Sequence, residues 1–222
     1  MPATLLPAVE IDPPIPATST VICLHGLGAD GHDLAMLAME LSLPKHDTRF
    51  VFPHAPQRPV TINNDYVIPA WYDIYGFGIN EREDDAGLAE AESMLHALIQ
   101  REIDKGIASE SIVLAGFSQG GAVVLHTGLR YPQRLAGVVA MSSYLPLTGK
   151  LRAEAHSANS RLPIMITHGL HDDVIPLAHA EISRDVLQKQ GYDVTWRSYP
   201  MAHNICAEEI QDISRWLLSV LV

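Results

Sequence analysis

Residues 112–121 read Ile-Val-Leu-Ala-Gly-Phe-Ser-Gln-Gly-Gly, and no other stretch restricts the fold as much. An apolar run, 112–115, meets Gly-x-Ser-x-Gly at Gly116, Ser118 and Gly120, and a helix-forming stretch, 122–130, follows at once. A serine set between a strand and a helix, flanked by glycines, predicts a tight turn that lifts its hydroxyl out of a sheet. A side chain at 116 or 120 would collide with neighbouring backbone in such a turn. The helix beginning just after Ser118 aims free N–H groups at any negative charge developing nearby. Gly-x-Ser-x-Gly is weak alone; the strand before it and the helix after it give it meaning. The competing reading is a glycine-rich packing turn of a nucleotide-binding fold.

The rest of the chain supplies the frame that such a turn needs. Strands are predicted at 20–24, 49–52, 112–115, 135–141, 163–167 and 194–198, and helices at 33–41, 84–106, 177–190 and 208–221. In the helix at 84–106, Leu88, Ala91, Leu95, Leu98 and Ile99 share one face and Gly106 ends it. Alternating strands and helices predict an α/β fold, with a mostly parallel central sheet and helices on both faces. At 222 residues the chain is expected to form one domain, 1–222. Residues 1–18, with Pro13, Pro14 and Pro16, are expected to be an extended lead-in.

Residues 53–84 break the alternation. They hold several prolines and Tyr66, Trp71, Tyr72, Tyr75 and Phe77, with no helical period. Their aromatic content argues against disorder. The segment is expected to be an ordered excursion forming a pocket wall, with Trp71, Tyr75 and Phe77 lining the site; the alternative is a packing loop with short irregular strands.

Charge and cysteine content narrow the partners. A formal net charge of −11 disfavours nucleic acid and anionic membrane surfaces. Cys23 and Cys206 form no metal-spaced or redox pair, and Cys23 lies in a strand-like run as an apolar filler. A reducing compartment is the simpler expectation. Neither a signal peptide nor a membrane-spanning segment is expected from the sequence.

A serine hydroxyl needs a base within hydrogen-bond reach, and the base needs an orienting carboxylate. For a serine on this kind of turn, the acid and then the histidine follow in chain order. Of the eleven histidines, six follow Ser118. His203, after the last predicted strand and before the last helix, lies at a carboxyl strand end, where sites of open α/β sheets gather. His126 and His179 fall on predicted helices and His156 in a polar connection. The acid is sought in His168-Gly169-Leu170-His171-Asp172-Asp173, where both aspartates qualify by position. Mixed His and Asp in one loop, without a second ligand group, do not make a zinc site, and no metal is expected. Acyl transfer also needs oxyanion donors. The N–H of Gln119, next after the serine, is one candidate, and the N–H of Leu27, in His25-Gly26-Leu27-Gly28, is the other. His25 precedes the serine, so a structural role is expected of it.

Taken together, these segments resemble the carboxylesterase, acyl-protein thioesterase and lysophospholipase family of α/β-hydrolases. The resemblance covers roughly residues 19–220. It rests on Leu24-His25-Gly26-Leu27-Gly28, Phe52-Pro53-His54-Ala55-Pro56, Ala70-Trp71-Tyr72-Asp73, Gly116-Phe117-Ser118-Gln119-Gly120-Gly121, the 168–176 loop and Met201-Ala202-His203. It implies an α/β-hydrolase fold, with Ser118, Asp172 and His203 as the catalytic triad and Leu27 and Gln119 as oxyanion donors. It also implies a cytosolic enzyme without a cofactor, often dimeric, acting on small ester or lipid-like substrates, and the chain looks nearest a bacterial esterase branch. The expected activity is hydrolysis of short- to medium-chain carboxylic esters through an acyl-enzyme. The alternatives are an acyl-protein thioesterase or lysophospholipase and, more remotely, a catalytically silent binding module. Two departures stand out: Ala202 and Asn204 flank His203 where the family has Gly and a different polar residue, and Asp172-Asp173 replaces Asp-Pro.

Overall fold

The computed structural model describes residues 5–41, 43, 47–76 and 82–221. A seven-stranded sheet runs through them in the order β1-β3-β2-β6-β7-β8-β9. Its strands are β1 (Ala8–Ile11), β2 (Ser19–Leu24), β3 (Thr48–Pro53), β6 (Ile112–Phe117), β7 (Gly137–Met141), β8 (Ile164–Gly169) and β9 (Val194–Tyr199). Only β1 is antiparallel to its neighbour; every other pairing in the sheet is parallel. The two remaining strands, β4 (Gln57–Val60) and β5 (Tyr66–Pro69), form a separate hairpin.

Helices cover both faces, as the α/β alternation predicts. The strands are apolar at consecutive positions because alternate side chains enter opposite cores. Ile22, Leu24, Ile112, Leu114, Val138 and Ala140 face one core, with α3 (Asp85–Asp104), α4 (Gln119–Arg130) and α6 (Leu177–Lys189). Val21, Cys23, Val113, Ala115, Val139 and Met141 face the other, with α1 (Gly31–Ala35) and α7 (Ala207–Val220). Two four-residue helices, α2 (Leu37–Glu40) and α5 (Leu151–Glu154), complete the set. Cys23 is buried in this second core, which pushes its thiol up to about 12. Among the described residues no helix is long and apolar enough to cross a membrane.

Three parts differ from the sequence expectation. The lead-in contains β1, whose Val9 and Ile11 pack on the second core and whose Glu10 meets the buried Arg49 of β3. Four residues between prolines are too few to show a period. The single helix expected at 33–41 is two short ones, and the first starts earlier because Asp30 caps it: its side chain accepts from His32 N–H, and Asp33 reaches back to its N–H. Within 53–84, β4 and β5 turn through Asn64 and Asp65, both at positive φ (55° and 58°). Asn and Asp tolerate this backbone better than other non-glycine residues, so the pair is the hairpin signal in the sequence.

Candidate active site

Ser118 leaves the end of β6 with φ 53° and ψ −120° and opens α4. A non-glycine residue held in such a conformation is strained by roughly 1–3 kcal/mol, so the surroundings must impose it. They do: Ser118 N–H donates to Met141 O at 2.8 Å, and Ser118 O accepts from Ser143 Oγ at 2.7 Å. The flanking glycines let the turn pack. A Cβ on Gly116 would run into the Gly120 backbone, and one on Gly120 into the carbonyls of Leu24 and His25. The turn is thereby pressed against the loop that follows β2.

The structure brings Ser118, His203 and Asp172 into one hydrogen-bonded line. His203 Nε2 lies 2.9 Å from Ser118 Oγ, and His203 Nδ1 lies 2.8 Å from Asp172 Oδ2. Each of the three follows the carboxyl end of a parallel strand: β6, β8 and β9. The Asp172 side chain is fully buried. Its Oδ1 accepts from Val174 N–H at 3.0 Å and Ile175 N–H at 2.8 Å, leaving Oδ2 to face the imidazole. An ionised carboxylate only accepts, so Nδ1 carries the proton and Nε2 presents its lone pair to the serine hydroxyl. Asp173, next in the chain, is exposed.

The loops that carry Asp172 and His203 are joined to each other. Leu170 N–H donates to Tyr199 O at 2.8 Å and His171 N–H to Met201 O at 3.0 Å. A Cβ on Gly169 would strike the carbonyls of Met201 and Ala202, so only glycine lets the two loops close. The Ala202 side chain is exposed, which explains why a methyl group is accepted where the family carries glycine. His168, buried at the end of β8, donates from Nε2 to Ile175 O at 2.8 Å, and burial lowers its pKa. It braces the acid loop, whereas His171 is exposed.

Opposite His203, the loop after β2 is pinned at four points. His25 Nδ1 donates to Gly26 O at 2.7 Å and Nε2 accepts from Ala55 N–H at 3.0 Å, which fixes a neutral ring whose pKa burial lowers. Trp71 Nε1 donates to His25 O at 2.8 Å and Gly28 N–H to Pro69 O at 2.9 Å. Leu27 and Gln119 both line the cleft beside Ser118. Among the described residues, neither backbone N–H donates to another group, so both stay available to an anion.

The cleft holds about 530 Å³, and its walls are mainly apolar: Leu27, Leu34, Ile62, Phe117, Tyr144 and Ile205 are among them. Trp71 is not. It is 1% exposed, in the core behind the wall, because its indole N–H is spent on His25 O. Tyr75 lines a neighbouring cavity, under the guanidinium of Arg82. Phe77 falls outside the described residues. In their place the excursion contributes Ile62, Asn63, Tyr72 and Ile74 to the cleft. Only an alternating pattern in β4 and β5 would have revealed which tip residues reach it, and those strands are four residues each.

Comparison with known proteins places the chain in a family. A family model described as Phospholipase/Carboxylesterase matches residues 7–221. The chain is 38% identical to acyl-protein thioesterase 1 of Neurospora crassa, over 97% of this chain and 90% of that protein. It is 43% identical to acyl-protein thioesterase 1 of Schizosaccharomyces pombe, over 77% of this chain and 76% of that one. The crystal structure of acyl-protein thioesterase 2 from Zea mays superposes with a TM-score of 0.88 at 27% identity, over 97% of this chain and 99% of that chain. The chain therefore belongs to the phospholipase/carboxylesterase family, as a serine hydrolase with the α/β-hydrolase fold.

Proposed function

We propose that this protein hydrolyses S-acyl and O-acyl esters through an acyl-enzyme on Ser118, and that thioesters of acylated proteins are its main substrates. The observation that carries the reading is the 2.9 Å contact between Ser118 Oγ and a His203 whose other nitrogen is held by Asp172 at 2.8 Å. His203 Nε2 takes the proton as Ser118 Oγ attacks the acyl carbon. The tetrahedral oxyanion is received by the N–H groups of Leu27 and Gln119, the latter at the start of α4. The imidazolium returns the proton to the leaving group, and Asp172 stabilises its charge. A water molecule activated by the same His203 then releases the acid and restores Ser118.

Two further points favour thioesters of proteins over simple carboxylic esters. The relatives with the highest identities quoted above are named acyl-protein thioesterases. The mouth of the cleft is also open and apolar: Ile62 and Val174, 36% and 41% exposed, line it. A bulky leaving group can remain outside while the acyl chain lies within. A thiol with a pKa near ~8.5 leaves more readily than an alcohol, so the same site needs less proton transfer to expel it.

The test compares kcat/KM on an S-acylated peptide with that on the O-acyl serine peptide of the same sequence. A preference for the thioester larger than the difference in their alkaline hydrolysis rates supports the reading. Equal or better hydrolysis of the oxygen ester, once so corrected, returns the protein to a general carboxylesterase.

A further inference from the structure

Behind the cleft lies a second cavity of about 160 Å³, and Tyr72, Ile74, Tyr144 and Ile175 line both. On this shared wall the hydroxyls of Tyr72 and Tyr144 meet at 2.9 Å. Tyr72 is 2% exposed and comes from the segment following β5, whereas Tyr144 comes from the loop following β7. Their hydrogen bond closes the wall between two loops that are distant in sequence.

The position of this wall decides what it can do. Three of the four groups around a tetrahedral carbon on Ser118 already have directions. Ser118 Oγ is below it, the oxyanion points at Leu27 and Gln119, and the leaving atom must face His203 Nε2 to collect its proton. Phe117, whose ring lies 4.8 Å from that of His203, belongs to the leaving-group side. Tyr72, Ile74 and Tyr144 line the same cleft as Ser118, and Gln119 Nε2 donates to the Tyr72 carbonyl at 2.7 Å. The acyl chain is left with the direction of Tyr72, Ile74 and Tyr144.

We propose that the Tyr72–Tyr144 pair is the end stop of the acyl site and sets the longest acyl chain that the enzyme accepts. The proposal rests on the reading of Ser118 as nucleophile. A longer alkyl chain would have to part a buried hydrogen bond, leaving two phenols without partners. It would then enter a chamber whose walls mix Glu83, Asp84 and Ser183 with Ile74, Leu145 and Ile182. The carboxylates there are committed to the fold: Glu83 accepts from Leu147 N–H at 2.9 Å, and Asp84 from Asp73 N–H at 2.9 Å and Gly87 N–H at 3.0 Å. Burial pushes both phenols up, so they remain protonated and hydrogen-bonded at any working pH.

The experiment runs p-nitrophenyl esters from acetate to palmitate with wild type, Tyr144→Phe and Tyr144→Leu, beside thermal melts. Tyr144→Phe removes the hydroxyl contact but keeps the ring; Tyr144→Leu opens the wall. The expected wild-type profile falls steeply past a medium chain length. The ratio of kcat/KM for palmitate to that for butyrate should rise about tenfold or more in Tyr144→Leu, with Tyr144→Phe between it and wild type. Should Tyr144→Leu fail to fold, Tyr72→Phe breaks the same contact from the other side. Folded variants with the wild-type ratio would overturn the stop alone, as would a wild type that treats palmitate and butyrate alike. Hydrolysis of no chain length by the wild type would overturn the reading of Ser118 and the stop with it.

Discussion

The side-chain amide of Gln119 holds the backbone on either side of the Trp71–Tyr72 peptide: Oε1 accepts from Trp71 N–H at 2.9 Å and Nε2 donates to Tyr72 O at 2.7 Å. One residue thus supplies a backbone N–H beside Ser118 and fixes the wall of the cleft with its side chain. Gln119→Glu keeps the size but replaces the donor with an acceptor, leaving Tyr72 O facing a buried carboxylate oxygen. The expected loss of stability is about 1–3 kcal/mol, with a fall in kcat/KM. Urea melts and ester kinetics on the one variant check both; an unchanged pair of values would remove Gln119 from the wall.

Asp172 and Asp173 should separate cleanly. In Asp172→Asn, the amide oxygen stays with the Val174 and Ile175 N–H groups that Oδ1 now serves, and the amide nitrogen turns to His203. An N–H facing Nδ1 moves the imidazole proton to Nε2, where no lone pair remains for Ser118. A loss on the order of 10²–10⁴-fold in kcat is expected. Asp173→Asn, on an exposed side chain, should lose less than about tenfold. Steady-state kinetics of the two variants side by side decides between them, and a crippled Asp173→Asn would move the acid by one residue.

Gly169→Ala tests how closely the acid and histidine loops must approach. The new Cβ has to displace the carbonyls of Met201 and Ala202, which pushes His203 away from Asp172. A shift of about 1 Å costs roughly 10²-fold in rate. Activity should therefore fall much further than the melting temperature suggests, as measured by kcat beside calorimetry.

Glu209 predicts a pH dependence of stability. Its carboxyl is fully buried at the start of α7 and its pKa is pushed up to about 7 by burial, offset only in part by hydrogen bonds from the Thr167 side chain and, at 3.4 Å, from Cys206 N–H. Below the unfolded value both states hold the proton and nothing is lost. As pH rises through 4.5 towards 7 the unfolded chain releases its proton first, so stability declines, by about 3 kcal/mol in all. Glu209→Gln removes this slope. Denaturant melts from pH 5 to 8 should show the variant gaining on wild type as pH rises; parallel curves would show that Glu209 ionises normally.

The parts of the site that could be read from the sequence are those tied to a strand end. Ser118 needs glycine neighbours, Asp172 follows an apolar run and His203 the last predicted strand, and their order along the chain leaves few choices. The parts that could not be read depend on contacts between distant residues. Trp71 looks like a pocket aromatic, yet its indole N–H is used 46 positions away by His25 O. The hairpin of β4 and β5 and the edge strand β1 are four residues each, too short for periodicity to show. The Tyr72–Tyr144 contact joins two loops whose proximity follows only from the strand order.

The role of Ser118 is open to a single reading by mass spectrometry. Intact protein treated with a fluorophosphonate should gain one adduct, mapped to Ser118, and lose all hydrolysis of the S-acylated peptide. Ser118→Ala, folded as wild type by circular dichroism, should take no adduct and hydrolyse nothing above background. Labelling that persists in Ser118→Ala, or a variant that still turns over the thioester at the wild-type rate, would contradict the assignment.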